Sequence, residues 1–258
     1  MADLLARYDR GEHGVWDELV ADADAVMSSE DRRAEAEAVA RALMKRVRSA
    51  SHAVRAVLVE AGALVGPEEP PASQATLARL EERFGPLPIA LRALFVECGS
   101  LTLLPPSAYG TFEEYGPNTF DTSTGLLFQY RDPVHVDGPE AFLADNLGEL
   151  EDYVIFTADL HEKANGGGGN GYKLPFPFED AKARLDPDLD GGIPHDGTFV
   201  AYLRHAFRWG GFPGLHFRTV FEDGTHYLLP RDLERIKGEP RAVIEDAVAK
   251  LRRNVEPF

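Results

Sequence analysis

The chain has 258 residues, 44% of them apolar and 27% charged, enough for one large domain or a standard domain with an appendage. No run of about 18 uncharged apolar residues occurs and the start, Met1-Ala2-Asp3-Leu4-Leu5, lacks a secretory signal, so a membrane span is excluded and a cytoplasmic location expected. Acids outnumber bases 43 to 27, a net charge of −16 that disfavours direct nucleic-acid binding, and the single cysteine, Cys98, excludes an intrachain disulfide and a multi-cysteine zinc site. The excess is uneven, because residues 107–200 hold 18 acids against 5 bases while 201–258 hold 8 against 10.

The first ~65 residues read as helical. Ser28 and Asp31 have the spacing of a capping box, with Asp in place of Glu or Gln. Ala36, Val39, Leu43, Val47, Ala50, Val54, Val57 and Ala61 then recur at steps of three and four. That spacing predicts one stripe on a single long helix, or on two helices broken near Ser49–Ser51. An earlier helix over Leu4–Val26, with Trp16, Leu19 and Val20, is its expected packing partner. Gly66-Pro67-Glu68-Glu69-Pro70-Pro71 is a stiff polar linker. The expected division is a helical region over 1–66, a linker over 67–72, an α+β domain over 73–230 and a C-terminal helix over 231–258.

Ser73 is the expected N-cap of a helix with Leu77, Leu80 and Phe84 on one face, stopped by Gly85-Pro86. Pro88 suits the first turn of the next helix, which carries Leu91, Leu94, Phe95 and Cys98 and ends at Gly99. Cys98 reads as a packed thiol on that apolar face. Beyond it, Leu101–Leu104, Leu126–Tyr130 and Tyr153–Ala158 are β-prone. Pro139–Leu147 reads as a short helix, Thr198–Trp209 as a stronger one ended by Gly210-Gly211, and the stretch after Pro240 as a last amphipathic helix. Leu215–Phe221 and Thr225–Leu229 read as a hairpin turning at Glu222-Asp223-Gly224. Helices flanking a mostly antiparallel sheet make an α+β arrangement.

Motifs for chemistry are sparse. Gly166–Gly169 with Asn170-Gly171 lacks the Lys-Ser or Lys-Thr of a phosphate loop and reads as a turn. Asp186-Pro187-Asp188-Leu189-Asp190-Gly191 opens like a calcium loop, but Gly197 stands where the bidentate Glu belongs, and a polar turn ahead of the Thr198 helix is the better reading. None of the eight histidines forms a His-Glu-x-x-His pair, and neither a nucleophile elbow nor a nucleotide fingerprint is present. Asp159, His161, Lys163 and Asn165, with Trp209, are the residues that would line a small-ligand pocket if the chain were an enzyme.

The stretch Leu77-x-x-Leu80-Glu81-x-x-Phe84-Gly85-Pro86-Leu87-Pro88, then Leu91-x-x-Leu94-Phe95 and Cys98-Gly99-Ser100, resembles the opening of the SUKH (Smi/Knr-like) superfamily. Asp152–Phe156 is similar to the family's central strand. The run from Phe199 through Arg208-Trp209-Gly210-Gly211-Phe212-Pro213-Gly214 is similar to the close of a bacterial subgroup that also carries Asp159-x-His161-x-Lys163-Ala164-Asn165. The resemblance covers about residues 73–225. Cys98-Gly99 replaces the usual Asn-Gly, and Leu87-Pro88 stands closer to Gly85 than is usual. It implies a twisted, mostly antiparallel sheet flanked by helices, no catalytic residues, no metal and no cofactor. Bacterial members are mostly immunity proteins that neutralise polymorphic toxins, many of them nucleases or deaminases; eukaryotic relatives are interaction hubs.

The leading expectation is therefore a non-enzymatic, protein-binding immunity protein whose acidic middle docks a basic toxin domain. Tyr109, Phe112, Tyr115 and Phe120, among Glu113, Glu114 and Asp121, are the candidate anchors. Ordinary loop packing fits these aromatics equally well. The alternatives are a regulatory scaffold that binds through residues 1–66, and an enzyme built on Asp159 and His161. Oligomeric state is left open by the sequence.

Overall fold

The structure is a computed structural model and describes residues 4–61, 65–103, 120–121, 126–127, 134–144, 153–157, 172–175, 177–189, 197–213 and 241–258. Its axis is α4 (Glu30–Glu60), an unbroken helix of 31 residues. Ser29, not Ser28, is its N-cap and accepts the Arg32 N–H at 3.4 Å, so N3 falls on Arg32 and the expected Ser28–Asp31 capping box does not start the helix. Ser49–Ser51 do not break the helix. The Ser49 hydroxyl donates back to the Lys45 carbonyl, and Ser51 Oγ donates to Glu68 at 2.8 Å, so neither competes for the helical N–H groups. Ala36, Val39, Leu43, Val47, Ala50, Val54 and Val57 are all buried, as the stripe predicts, with Ala61 half-buried where the helix ends.

The expected single helix over Leu4–Val26 is three shorter ones: α1 (Leu4–Asp9), α2 (Val15–Ala21) and α3 (Ala23–Ser28). A turn through Gly11 and Gly14 separates the first two, and Asp22, off helical geometry at φ −112°, separates the second from the third. All three lie against α4, so the apolar stripe is covered from within the chain.

After α4 come α5 (Gln74–Phe84), capped by Ser73 as expected, and α6 (Ile89–Glu97). Helix α6 is buried on nearly every side and is the broadest neighbour of α4. The polar stretch 66–71 is fastened between them. Arg55 donates to the Gly66 carbonyl, the Glu69 N–H donates to Ser100 Oγ at 2.6 Å, and the Ala72 N–H donates to the Phe95 carbonyl. Gly99 follows α6 at φ +81°, where a Cβ would run into the carbonyl oxygens of Glu69 and Pro70; only glycine suits both conditions. One continuous hydrophobic cluster includes Tyr8, Leu43, Leu80, Phe95, Val136 and Phe207.

The strands are short. β1 (Leu101–Thr102) pairs antiparallel with β4 (His135–Val136), β2 (Phe120–Asp121) with β3 (Leu126–Leu127), and β5 (Tyr153–Thr157) with β6 (Tyr172–Pro175). Pro175 stands at the end of its ladder, opposite Tyr153, where a missing N–H costs least. Among the described residues the protein is mixed α and β, mostly helical, with its strands in three two-stranded pairs. The remaining helices are α7 (Pro139–Ala144), α8 (Ala181–Leu185), α9 (Phe199–Arg208) and α10 (Arg241–Leu251). The expected hairpin over 215–229 and the turn over 166–171 lie outside the described residues. No described helix is long and apolar enough to cross a membrane.

Candidate functional site

Tyr109, Phe112, Glu113, Glu114 and Tyr115 lie outside the described residues, as do Asp159, His161, Lys163 and Asn165. Phe120 and Asp121 form β2, in register with Leu127 and Leu126. Trp209 is the one member of the expected pocket that is described. Thr198 caps α9 by accepting the Ala201 N–H, and Trp209 closes the helix, half-buried, with its ring centroid 6.5 Å from that of His205. The turn that follows is built into the sheet: the Gly211 carbonyl accepts the Val134 N–H at 2.8 Å, and the Val134 carbonyl accepts Leu103 N–H.

Polar groups brought together from distant parts of the chain surround α9. Asp186, at the end of α8, is fully enclosed. Its carboxylate accepts the Trp16 indole N–H at 2.8 Å, the Val200 N–H at 3.1 Å and the Thr198 hydroxyl. Burial pushes its pKa up to about 6, against the pull of these donors and of Arg204 at longer range. Its spacing to Asp188 and Asp190 suggests a calcium loop, but the carboxylate points inward and both its oxygens are engaged; Asp188 is ion-paired with Lys182 at 2.8 Å. Asp186 is a joint between α2, α8 and α9.

Arg204, one turn further along α9, holds a second joint. It donates to Asp17 Oδ1 at 2.6 Å, to the His13 carbonyl at 2.7 Å and to the Phe258 oxygen at 3.0 Å. Sequence reasoning missed both joints. The available signal was a lone Asp before a proline, and an arginine on the polar side of an amphipathic helix; neither names its partners.

A hydroxyl, an imidazole and a carboxylate stand in line beside β1. His135 Nδ1 lies 3.0 Å from Thr102 Oγ1, its partner across the β1–β4 ladder, and Nε2 lies 3.0 Å from Asp137 Oδ1. The order is that of a nucleophile, base and orienting acid. Thr102 and His135 are both buried, however, so the hydroxyl has no open side to offer a substrate, and the arrangement fastens the ladder. The Glu69 carboxyl next to it is held above the usual carboxylate range, chiefly by burial and further by Asp137 and Glu140.

Cys98 is packed as the sequence predicts. Its thiol donates to the Met44 carbonyl, and burial pushes its pKa up to about 12, far from the thiolate a nucleophile needs. Among the described residues no group of three His, Cys, Asp or Glu could hold a metal ion.

No protein-family model, curated protein or solved structure matches this chain.

Proposed function

We propose that the protein is a non-enzymatic binding module of the SUKH-like immunity type, which masks a basic toxin domain with its acidic middle segment. The observation that carries this reading is the concentration of charge: 18 acids against 5 bases in residues 107–200, set in a chain of net −16. Such a field steers a basic partner onto the surface and raises association rates in a salt-dependent way. The internal use of the polar groups supports it further. Asp186 and Cys98 are committed to internal contacts, and the Thr102 hydroxyl is sealed. The scaffold reading is weakened, because the stripe on α4 that a partner helix would use is covered by α1–α3 and α6. The twisted sheet of the SUKH fold, and a cytoplasmic site of action, belong to this proposal.

The test is stopped-flow association with the purified C-terminal domain of the polypeptide encoded beside this gene. Rates should fall steeply between low and physiological salt. Replacing Glu113→Gln, Glu114→Gln and Asp121→Asn together should slow low-salt association several-fold. Salt-independent rates, equal in both proteins, would remove the docking face, and turnover of a substrate by the purified chain would end the non-enzymatic reading.

A further inference from the structure

Where α1 ends, basic and hydroxyl groups gather without the acid that would neutralise them. Tyr8 is fully buried, and its hydroxyl has no hydrogen-bond partner among the described residues. The Arg46 guanidinium lies over the Tyr8 ring, 4.9 Å from its centroid, and the His13 imidazole meets the same ring edge-on at 5.5 Å. Arg46 approaches His13 Nδ1 at 3.5 Å and the Tyr8 carbonyl at 3.4 Å, both long contacts, and has no carboxylate within 4 Å among the described residues. Other arginines nearby are neutralised: Arg7 grips Glu12 and Glu18, and Arg204 pairs with Asp17. A guanidinium placed over an aromatic ring with only long contacts to neutral acceptors, beside a half-buried imidazole and an idle buried hydroxyl, is a set of donors lacking an anion.

We propose that Arg46, His13 and Tyr8 form a binding site for a tetrahedral oxyanion, the phosphate group of a free ion or of a small phosphomonoester. The Arg46 fork suits a carboxylate or a phosphate, and a tetrahedral anion has oxygens left over for the imidazole and the hydroxyl. The groups that face His13 set the charge balance. Arg46 on α4 and Arg204 on α9 are cationic, Asp17 on α2 is already paired with Arg204, and Asp9 and Glu12 are the acids adjacent in the chain. Burial, then Arg46 and Arg204, hold the His13 pKa below its ordinary value. An imidazole that accepts from Arg46 through Nδ1 keeps its proton on Nε2 as a donor. A bound dianion reverses the local field and favours the imidazolium, so binding takes up a proton. Tyr8 is pushed up to about 12, mainly by burial, and stays a hydroxyl donor throughout the working range. This inference does not depend on what the acidic segment binds.

Sulfate is the first probe, because its charge does not change between pH 5 and 9. Binding to the full chain is measured by calorimetry against chloride at equal ionic strength, and the His13 resonances are followed by NMR titration. Wild-type protein should bind sulfate severalfold more tightly at pH 5.5 than at pH 8, and sulfate should raise the His13 titration midpoint. Arg46→Gln should weaken binding by about tenfold or more, the size expected for charge-assisted hydrogen bonds. Arg46→Lys, which keeps the charge and loses the fork, should recover only part of it. Tyr8→Phe preserves the stacked ring and should also weaken binding, with circular dichroism confirming that each variant is folded. Inorganic phosphate and glycerol phosphate then separate the two sources: tighter binding of the ester assigns a metabolite site, and tighter binding of the free ion assigns a phosphate site. Equal responses to sulfate in wild-type and Arg46→Gln protein, or no movement of His13, would overturn the proposal.

Discussion

Trp16 on α2 donates its indole N–H to Asp186 at 2.8 Å, across 170 positions of sequence, and both residues are enclosed. Replacing the indole by Phe leaves most of the apolar volume but removes one of the three donors to the buried carboxylate. Trp16→Phe is expected to cost about 2 kcal/mol, the usual worth of a hydrogen bond to a charged group. Urea unfolding should show a lower midpoint with an unchanged slope.

The same carboxylate makes stability depend on pH. Its pKa is raised from 3.8 to about 6 on folding, with burial as the main cause. Between those values the folded chain holds more protons than the unfolded one, so the contribution is full below about pH 4, falls as pH rises to about 6, and is constant above that. The loss amounts to up to about 3 kcal/mol. Glu12 and Glu18, held low by Arg7, change stability in the opposite direction, so the comparison must be with Asp186→Asn. Subtracting that variant's denaturation midpoints from the wild-type series at pH 4, 5, 6 and 7 should isolate the fall.

Arg204 reaches three acceptors on three separate segments. A lysine places one ammonium where a planar fork is needed. Arg204→Lys is therefore expected to be nearly as damaging as Arg204→Met, each costing about 2 kcal/mol. Thermal unfolding of the two variants checks this; full recovery by lysine would reduce the joint to simple charge.

Two glycines at positive φ separate crowding from backbone strain. Gly85, at φ +76°, has open space around its would-be Cβ, whereas Gly99 faces the backbone of Glu69 and Pro70. Gly85→Ala should cost about 2 kcal/mol, the strain alone, because φ +76° with ψ −174° is a conformation that essentially only glycine adopts. Gly99→Ala should cost at least about 3 kcal/mol, because a backbone carbonyl cannot swing away as a side chain does.

Cys98 should resist alkylation. With the thiol buried and its pKa at about 12, iodoacetamide at pH 8 is expected to leave the native protein unmodified over hours and to label it fully in urea. Intact-mass spectrometry reads both states.

Periodicity made the helical half of this fold legible. The steps of three and four from Ala36 to Val57 can be satisfied only on one face of a helix, and the caps at Ser73 and Thr198 announce themselves because few residue types accept a helix N–H. Breaks were harder: Ser49 and Ser51 look like interruptions, yet hydrogen-bond without disturbing α4, whereas Gly11 and Asp22 divide a stretch that reads as continuous. β2, β4, β6 and α8 were not foreseen, since segments of two to five residues are too short for any period to show. Of the candidate pocket, Trp209 alone is described. The joints at Asp186 and Arg204 were invisible for a different reason, because a single polar residue carries no information about a partner some 170 positions away.

The contacts of Arg204 also impose a timetable. Asp17 leaves the ribosome 187 residues ahead of the guanidinium that will hold it. At a synthesis rate of about 5–20 residues per second, α2 waits about ten to forty seconds for its anchor. During that interval Val15, Trp16 and Leu19 have only α1, α3 and α4 to shelter them, so the early helices must either lean on one another or be guarded by a chaperone until the later part of the chain arrives.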